Sequence, residues 1–403
     1  MNAQDLIKHL QEAVDLSKKG LGYVSPNPCV GCVILDAQGK KIAEGFHEKY
    51  GEAHAEVNAL KQLQDPMKQL QGAYVIVTLE PCAHEGKTPS CAKTLSQYPI
   101  EAVIALVKDP NPLVCGQGFE ILQQAGHKTI FIEDILSSAP SRVGKEWNPE
   151  WEKIFLEWQT HPQSQKRVQA IVNESQNLNK EFFFAIQHQR PFVTLKWAQS
   201  LNGVIGSPYK RLLISGKKAQ EHTHHLRATH DVTLVGYKTI LQDNPSLNVR
   251  LGQIQKENKV AVVDSRLRIL DQRAKHNIFN VHSPQNLFLI TDQELKGQEK
   301  CEGFSGNLIF VGRDLKGQLN LVEAMKQLRV DHNIHSIFVE GGADILKDMY
   351  EQNLWNEIYI YIAPKFLKGI EIKLSVFRIV FKFFKTVKLF ILYPDIGVRI
   401  RQR

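Results

Sequence analysis

The chain has 403 residues, 43% of them hydrophobic and 23% charged, the proportions of ordinary soluble globular protein with room for two or three domains. Its formal net charge of +8 admits nucleic acid, an anionic surface or a phosphorylated small molecule as partner. No dense Lys/Arg run or basic stripe interleaved with aromatics favours nucleic acid, so a mildly basic, solvated surface is the plainer reading.

In chain order, Leu6, Ile7, Leu10, Ala13 and Val14 recur at helical spacing over 3–18, and Gly20 stops that helix. The segment carries acids and no apolar stretch, so a secretory signal is not expected and a cytoplasmic, reducing compartment is. There the six cysteines suggest a metal before a disulfide. Strands are expected at 30–36, 41–46, 73–80, 101–107 and 128–133, with helices at 54–63, after Cys91, and at 118–126. This alternation predicts a mixed or parallel sheet covered on both faces. Residues 135–190 are polar and mostly helical in pattern. The first domain is therefore placed at 1–146, with a helical connector over 147–190 and a second α/β domain over 191–403. On that division, a chain cut near Glu146 should keep the chemistry of its first half. The second domain offers strands at 191–200, 231–236, 260–264, 287–291, 308–312, 336–340 and 357–363, and helices near 216–229, 318–329 and 343–352. The apolar run LSVFRIVFKFF is broken by Arg378 and Lys382 and is too short to span a bilayer, so no membrane partner is expected.

The chemistry concentrates in the first half. His54-Ala-Glu56 opens a helix, Pro81-Cys82 ends a strand, and Cys91 follows nine residues later. One His and two Cys leave a fourth tetrahedral position open, as a catalytic zinc site does. Zinc brings the pKa of its water to about 7. Glu56 is not needed as a ligand, and it can pass the water proton to a leaving amine. H-x-E followed by P-C…C is the zinc-deaminase signature. Cys29, Cys32 and Cys115 read as core or loop thiols.

The stretch TLEPCAHEGKTPSC (78–91), with HAEVNAL before it and KDPNPLVCGQGFEILQQAG (108–126) after it, resembles the bifunctional riboflavin-biosynthesis deaminase/reductase family. The long insert between the cysteines separates this family from most nucleoside and nucleic-acid deaminases. The resemblance runs from about residue 3 to 368. It implies a cytidine-deaminase-like three-layer α/β/α domain followed by a dihydrofolate-reductase-like α/β domain. It also implies zinc and NADPH as cofactors, a pyrimidine ribotide as substrate and a homo-oligomer. On the family's pattern His54, Cys82 and Cys91 match the zinc ligands, and Glu56 the proton shuttle. Asn27, His47, His84 and Lys87 match the deaminase pocket. Arg211, Arg227, Leu247, Arg250 and Glu340 match the reductase substrate site, and Ala198, Leu213, Thr239, Asp243, Ser265 and Gly342 the NADPH site.

Three departures stand out. Leu213 occupies a place where relatives can carry Trp. Asn202 replaces a common Asp. Segment 370–386 lacks the small residues usual there; if the last strands fail to pair, cofactor binding suffers, and NADPH oxidation is expected to be weak or absent even in the full chain. Two other functions compete: a transfer-RNA adenosine deaminase with an accessory domain, and a non-catalytic zinc scaffold. The long insert opposes the first, and Glu56 with its open ligand set opposes the second.

Overall fold

The computed structural model describes residues 2–86, 89–112, 115–137, 149–207, 209, 212–250, 257–367, 372–373, 384–392 and 395–402. The chain divides into two compact units, Met1–Gln187 and His188–Arg403.

In the first unit the strands are β1 (Gly31–Leu35), β2 (Lys41–Phe46), β3 (Tyr74–Leu79), β4 (Ala102–Val107) and β5 (Lys128–Phe131). They form one sheet in the order β2-β1-β3-β4-β5. β1 runs antiparallel to both neighbours, whereas β3, β4 and β5 are parallel. Each expected strand of this half is present within two residues. The helices are α1 (Ala3–Lys18), α2 (Ala55–Leu60), α3 (Pro66–Gln69), α4 (Cys91–Leu95), α5 (Gln117–Gln124), α6 (Ile132–Ser137), α7 (Pro149–Thr160), α8 (Pro162–Leu178) and α9 (Lys180–His188). Because alternate strand residues face opposite sides, the sheet makes two cores. Val33, Ile76 and Ile104 pack with Leu6 and Leu10 of α1 and with Phe155 and Trp158 of α7. Ile34, Val75 and Val103 pack with Ala59 of α2, Leu95 of α4 and Leu122 of α5. The result is the three-layer arrangement the sequence implies.

The stretch expected as a connector belongs structurally to this first unit. Trp151, Phe155, Trp158, Val168, Ile171 and Val172 are all buried in its core. A cut near Glu146 would strip these side chains away and expose the face of α1 and the sheet beneath them. Loss of one such buried aromatic costs about 3–5 kcal/mol.

In the second unit the strands are β6 (Phe192–Ser200), β7 (Val204–Gly206), β8 (Val232–Gly236), β9 (Lys259–Val263), β10 (Leu287–Asp292), β11 (Asn307–Val311), β12 (Ser336–Glu340), β13 (Glu357–Ala363), β14 (Ile372–Lys373), β15 (Phe384–Leu392) and β16 (Asp395–Gln402). The helices are α10 (Lys217–Thr229), α11 (Tyr237–Asp243), α12 (Asn277–Val281), α13 (Leu321–Val330) and α14 (Ala343–Glu351). Among the described residues one large sheet runs β11-β10-β9-β8-β12-β6-β13-β16-β15. It is parallel from β11 to β13, and β16 and β15 close it as antiparallel strands. The last strands thus pair along their length. Most of the atypical segment, 374–383, lies outside the described residues. The final strand is also pinned by charge. Glu357, 1% exposed, accepts hydrogen bonds from Nε of Arg399 and of Arg401, both at 2.6 Å. At the strand's start, buried Asp395 accepts the Gly216 N–H at 2.5 Å.

Candidate active sites

The first site forms where two helices begin. His54 is the N-cap of α2, in extended conformation, and Cys91 is the first residue of α4. Gly45 of β2 lets α2 come close, since a Cβ there would lie 2.4 Å from the Ala55 carbonyl oxygen. The loop after β3 is folded back by Ser90, whose hydroxyl donates to the Cys82 carbonyl at 2.8 Å while accepting the Lys93 N–H at 3.2 Å. As a result one donor atom each from His54, Cys82 and Cys91 lies within 4.8 Å of the others. Nδ1 of His54 is 3.3 Å from Cys91 Sγ and 3.6 Å from Cys82 Sγ. The Cys91 N–H donates to Cys82 Sγ at 3.3 Å. Hydrogen bonding from Cys91, then from His54, pulls the Cys82 thiol well below its ordinary range, the state a metal ligand needs. One nitrogen and two sulfurs on so small a triangle fit zinc. Among the described residues it is the one such His/Cys/Asp/Glu cluster.

Glu56 is 3% exposed and hydrogen-bonds to Cys91. Burial first, and the neighbouring Cys82 second, hold its carboxyl above the usual range, suiting it to exchange a proton. A cavity of about 170 Å³ opens beside His54, lined by Asn27, Tyr50, Gly51, Glu52, His84 and Gly86. Buried His47 stands behind it, its ring 5.1 Å from that of His54. Its Nδ1 lies 3.0 Å from the Ala53 carbonyl, so Nδ1 carries the proton and Nε2 accepts from Asn27 Nδ2 at 3.1 Å. Burial also lowers the His47 pKa, which keeps the ring neutral. Lys87 lies outside the described residues. Cys29 and Cys32 are buried thiols and Cys115 is exposed.

Two residues here escaped the sequence reading. Tyr50 lines the cavity from a loop without a motif. Glu80, 5% exposed, accepts the N–H groups of Asp109, Gly116 and Gly118 at 3.3, 3.0 and 3.1 Å. It ties the loop after β4 to the strand end that carries Cys82. Gly118 is required there, because a Cβ would sit 1.9 Å from the Pro81 carbonyl oxygen. The Glu-Pro-Cys run was the available signal.

The second site is a larger cavity of about 520 Å³. It gathers Arg227, Leu247, Arg250 and Glu340, together with Ala198, Leu213, Thr239, Asp243 and Gly342. Ser265, just beyond β9, is not among its lining residues, and Arg211 lies outside the described ones. Arg227 is 8% exposed, and its guanidinium is committed: Nε donates to Glu340 Oε1 at 2.7 Å, Nη2 to the same oxygen, and Nη1 to the Asn248 carbonyl at 2.7 Å. Leu247 holds a left-handed conformation, φ 52°, costly for a bulky residue. Its carbonyl accepts from the buried amide of Asn258 at 2.9 Å. Thr239 Oγ1 accepts the Gly342 N–H at 3.2 Å, just ahead of α14. Lys196, absent from the sequence reading, also lines the cavity, and burial lowers its pKa against the opposing pull of Glu340. The one charged residue within the apolar run FVTLKWAQS was the available clue. Asn202 donates Nδ2 to the Leu367 carbonyl at 2.8 Å and accepts the Leu367 N–H at 3.2 Å, a two-way bond that an ionised Asp could not make.

Residues 3–107 match the cytidine and deoxycytidylate deaminase zinc-binding region, and residues 191–376 match the RibD C-terminal domain. The riboflavin biosynthesis protein RibD of Haemophilus influenzae is 32% identical over 91% of this chain and 87% of its own length. The chain belongs to the RibD family. The RibD protein of Escherichia coli is 31% identical over 89% of this chain and 88% of its own length. RibD of Acinetobacter baumannii superposes with a TM-score of 0.78 at 28% identity, covering all of both chains. A diaminohydroxyphosphoribosylaminopyrimidine deaminase/5-amino-6-(5-phosphoribosylamino)uracil reductase from Thermotoga maritima gives 0.76 at 25% identity, covering 100% of this chain and 99% of that one. As a RibD-family member the chain is a bifunctional enzyme of riboflavin biosynthesis, a deaminase in its first half and a reductase in its second. Its cofactors are zinc and NADPH. Nothing in these similarities favours a transfer-RNA deaminase. Among the described residues no helix is long and apolar enough to cross a membrane.

Proposed function

We propose that the first half deaminates 2,5-diamino-6-ribosylamino-4(3H)-pyrimidinone 5′-phosphate at ring carbon 2, and that the second reduces the ribosyl group of the product to ribityl. The observation that carries this reading is the His54–Cys82–Cys91 triangle with buried Glu56 against a small polar cavity. His54, Cys82 and Cys91 hold the metal, which supplies hydroxide at neutral pH when bound. Glu56 takes the proton of the attacking water and delivers it to the departing amine. The bond from ring carbon 2 to the exocyclic amine breaks, a carbonyl forms as the second water proton passes to the adjacent ring nitrogen, and ammonia leaves. Asn27 donates one N–H to His47, which fixes the amide so that its oxygen can accept a ring N–H. His84, at the exposed mouth, and Lys87 suit the phosphate end.

For the second half, Ala198, Leu213, Thr239, Asp243 and Gly342, which line the cavity, suit its cofactor side. With the Gly342 N–H held by Thr239, Gly341 and the first turn of α14 give a phosphate access to backbone N–H groups. The bound cofactor supplies hydride. Reduction places that hydride on C1′ and a proton on the ring oxygen that C1′ releases. Lys196, eased toward deprotonation by burial and facing Glu340, is suited to deliver that proton. Arg250, with exposed donors, is the phosphate arm, together with Arg211. Arg227, committed to Glu340, orders the site rather than binding phosphate.

The proposal further places the domain boundary near residue 187, the enzyme in the cytoplasm, and the functional form as a homo-oligomer. Exposed Leu201, Tyr209 and Phe366 support that last point. The test of function is ammonia release from the ribotide, followed by NADPH oxidation by the deaminated product. Release from RNA instead would refute the assignment.

A further inference from the structure

We infer that Asn179, at the C-terminal end of α8, is a positioning residue for the deaminase pocket. Its side chain is 4% exposed. Its Oδ1 accepts the Cys29 N–H at 2.7 Å, and its Nδ2 donates to the Cys29 carbonyl at 2.9 Å. Cys29 precedes β1, which begins at Gly31. A side-chain amide from 150 residues downstream therefore does for Cys29 what a neighbouring strand does inside a sheet.

Two residues before Cys29 is Asn27, which bonds His47 and lines the cavity beside His54. One turn before Asn179, Ser175 donates to the Thr78 carbonyl at 3.2 Å, and Thr78 Oγ1 in turn accepts the Gly31 N–H at 3.1 Å. Thr78 stands four residues ahead of Cys82. The end of α8 thus grips both the strand that leads to a zinc ligand and the segment that carries Asn27. The three proposed zinc ligands sit on other elements: at the start of α2, after β3, and at the start of α4. Losing Asn179 would leave two backbone groups of Cys29 without their buried partner and draw that segment toward water. The metal triangle would stay, while Asn27 would leave its place over it.

This inference rests on the proposed reading of Asn27 as a ring contact, and the experiment separates the two. Full-length Asn179→Ala, Asn27→Ala and Val168→Ala are compared for zinc content, melting temperature, and kcat and KM of ammonia release. Val168 is fully buried in the core beneath the same helix and does not line the cavity, so it reports general loosening. Asn179→Ala is expected to keep a full equivalent of zinc, raise KM about tenfold, and change kcat less. Asn179→Asp keeps the acceptor but loses the donor and should fall between parent and alanine. It also serves if the alanine variant does not fold. Val168→Ala is expected to lower the melting temperature at parental KM. A parental KM in both Asn179 variants, or an equal rise in Val168→Ala, overturns the inference. If Asn27→Ala raises KM and the Asn179 variants do not, the inference falls alone. If Asn27→Ala itself leaves KM unchanged, the reading of the pocket falls and the inference with it.

Discussion

The two active sites of this chain are built on opposite plans. The proposed metal ligands and acid/base of the deaminase half lie within residues 54–91, beside a cavity of about 170 Å³. The reductase site spreads its lining from Lys196 to Ala343 around about 520 Å³. On the proposed reading, each key side chain of the first has a task that no neighbour can take over. In the second, recognition is divided among many contacts, each worth a fraction of the whole. Short-range motifs mark the first kind of site, while long-range pairing makes the second.

That difference sets the size of the expected effects. The largest belongs to Cys82→Ser, which should abolish stoichiometric zinc and deamination while NADPH oxidation of the deaminated ribotide persists. Metal analysis alongside both assays checks this, and a full equivalent of zinc in the variant would break the comparison. Glu56→Gln should keep zinc and lose about 10²- to 10⁴-fold in ammonia release, because an amide cannot shuttle a proton. Near-parental release would remove Glu56 from its role.

Substitutions in the second site should cost less and divide by type. Arg250→Ala is expected to raise KM for the ribotide about tenfold with little change in NADPH affinity, the worth of a charged hydrogen bond. Arg227→Ala instead leaves Glu340 without its buried partner and should lower stability by about 3 kcal/mol, with ribotide and NADPH affected together. Denaturant melts and paired KM values separate these outcomes, and an Arg227→Ala enzyme of parental stability would contradict the ordering role.

The smallest effect concerns pH. Burial, helped by His225, Arg399 and Lys196, lowers His222 to about 4, and its Nδ1 lies 2.7 Å from the Tyr361 hydroxyl. Protonation therefore favours the unfolded chain, where the imidazole titrates at about 6.5. The stability carried by neutral His222 is full above that value and is lost as pH falls from about 6.5 toward 4. His222→Asn keeps a polar atom near the hydroxyl without that titration, so its melting temperature should fall less over the same interval. Parallel curves for parent and variant would refute the point.

Much of this was legible in the sequence, for identifiable reasons. Strands β1–β6 and β8–β13 read as short apolar runs between turns, whereas β7, β14 and β15 do not. The zinc triad announces itself because helix starts and strand ends fix where His54, Cys82 and Cys91 point. Segment 147–190 reads as a connector because its polar surface outweighs one buried stripe, although Trp151, Phe155 and Trp158 at helical spacing mark the packing of that stripe in the first unit. Asn179, Glu80 and the Arg227–Glu340 pair act on partners 150, up to 38 and 113 residues away, and no local pattern encodes such bonds. The same holds for the left-handed Leu247, where a branched side chain argues against the backbone it adopts. The atypical tail misled in the other direction. Its composition suggested a failed edge, yet β15 and β16 pair, and buried Glu357 anchors the last strand through two arginines.

The most direct test of the central claim, that one chain runs both steps in order, is product identification by mass. The ribotide is incubated with the full-length protein, with and without NADPH. Without NADPH the sole product should be the deaminated ribosyl compound, and with it the deaminated ribityl compound should accumulate. A ribityl product that retains the amino group would contradict the order of the steps, and an unchanged ribotide under both conditions would contradict the claim itself.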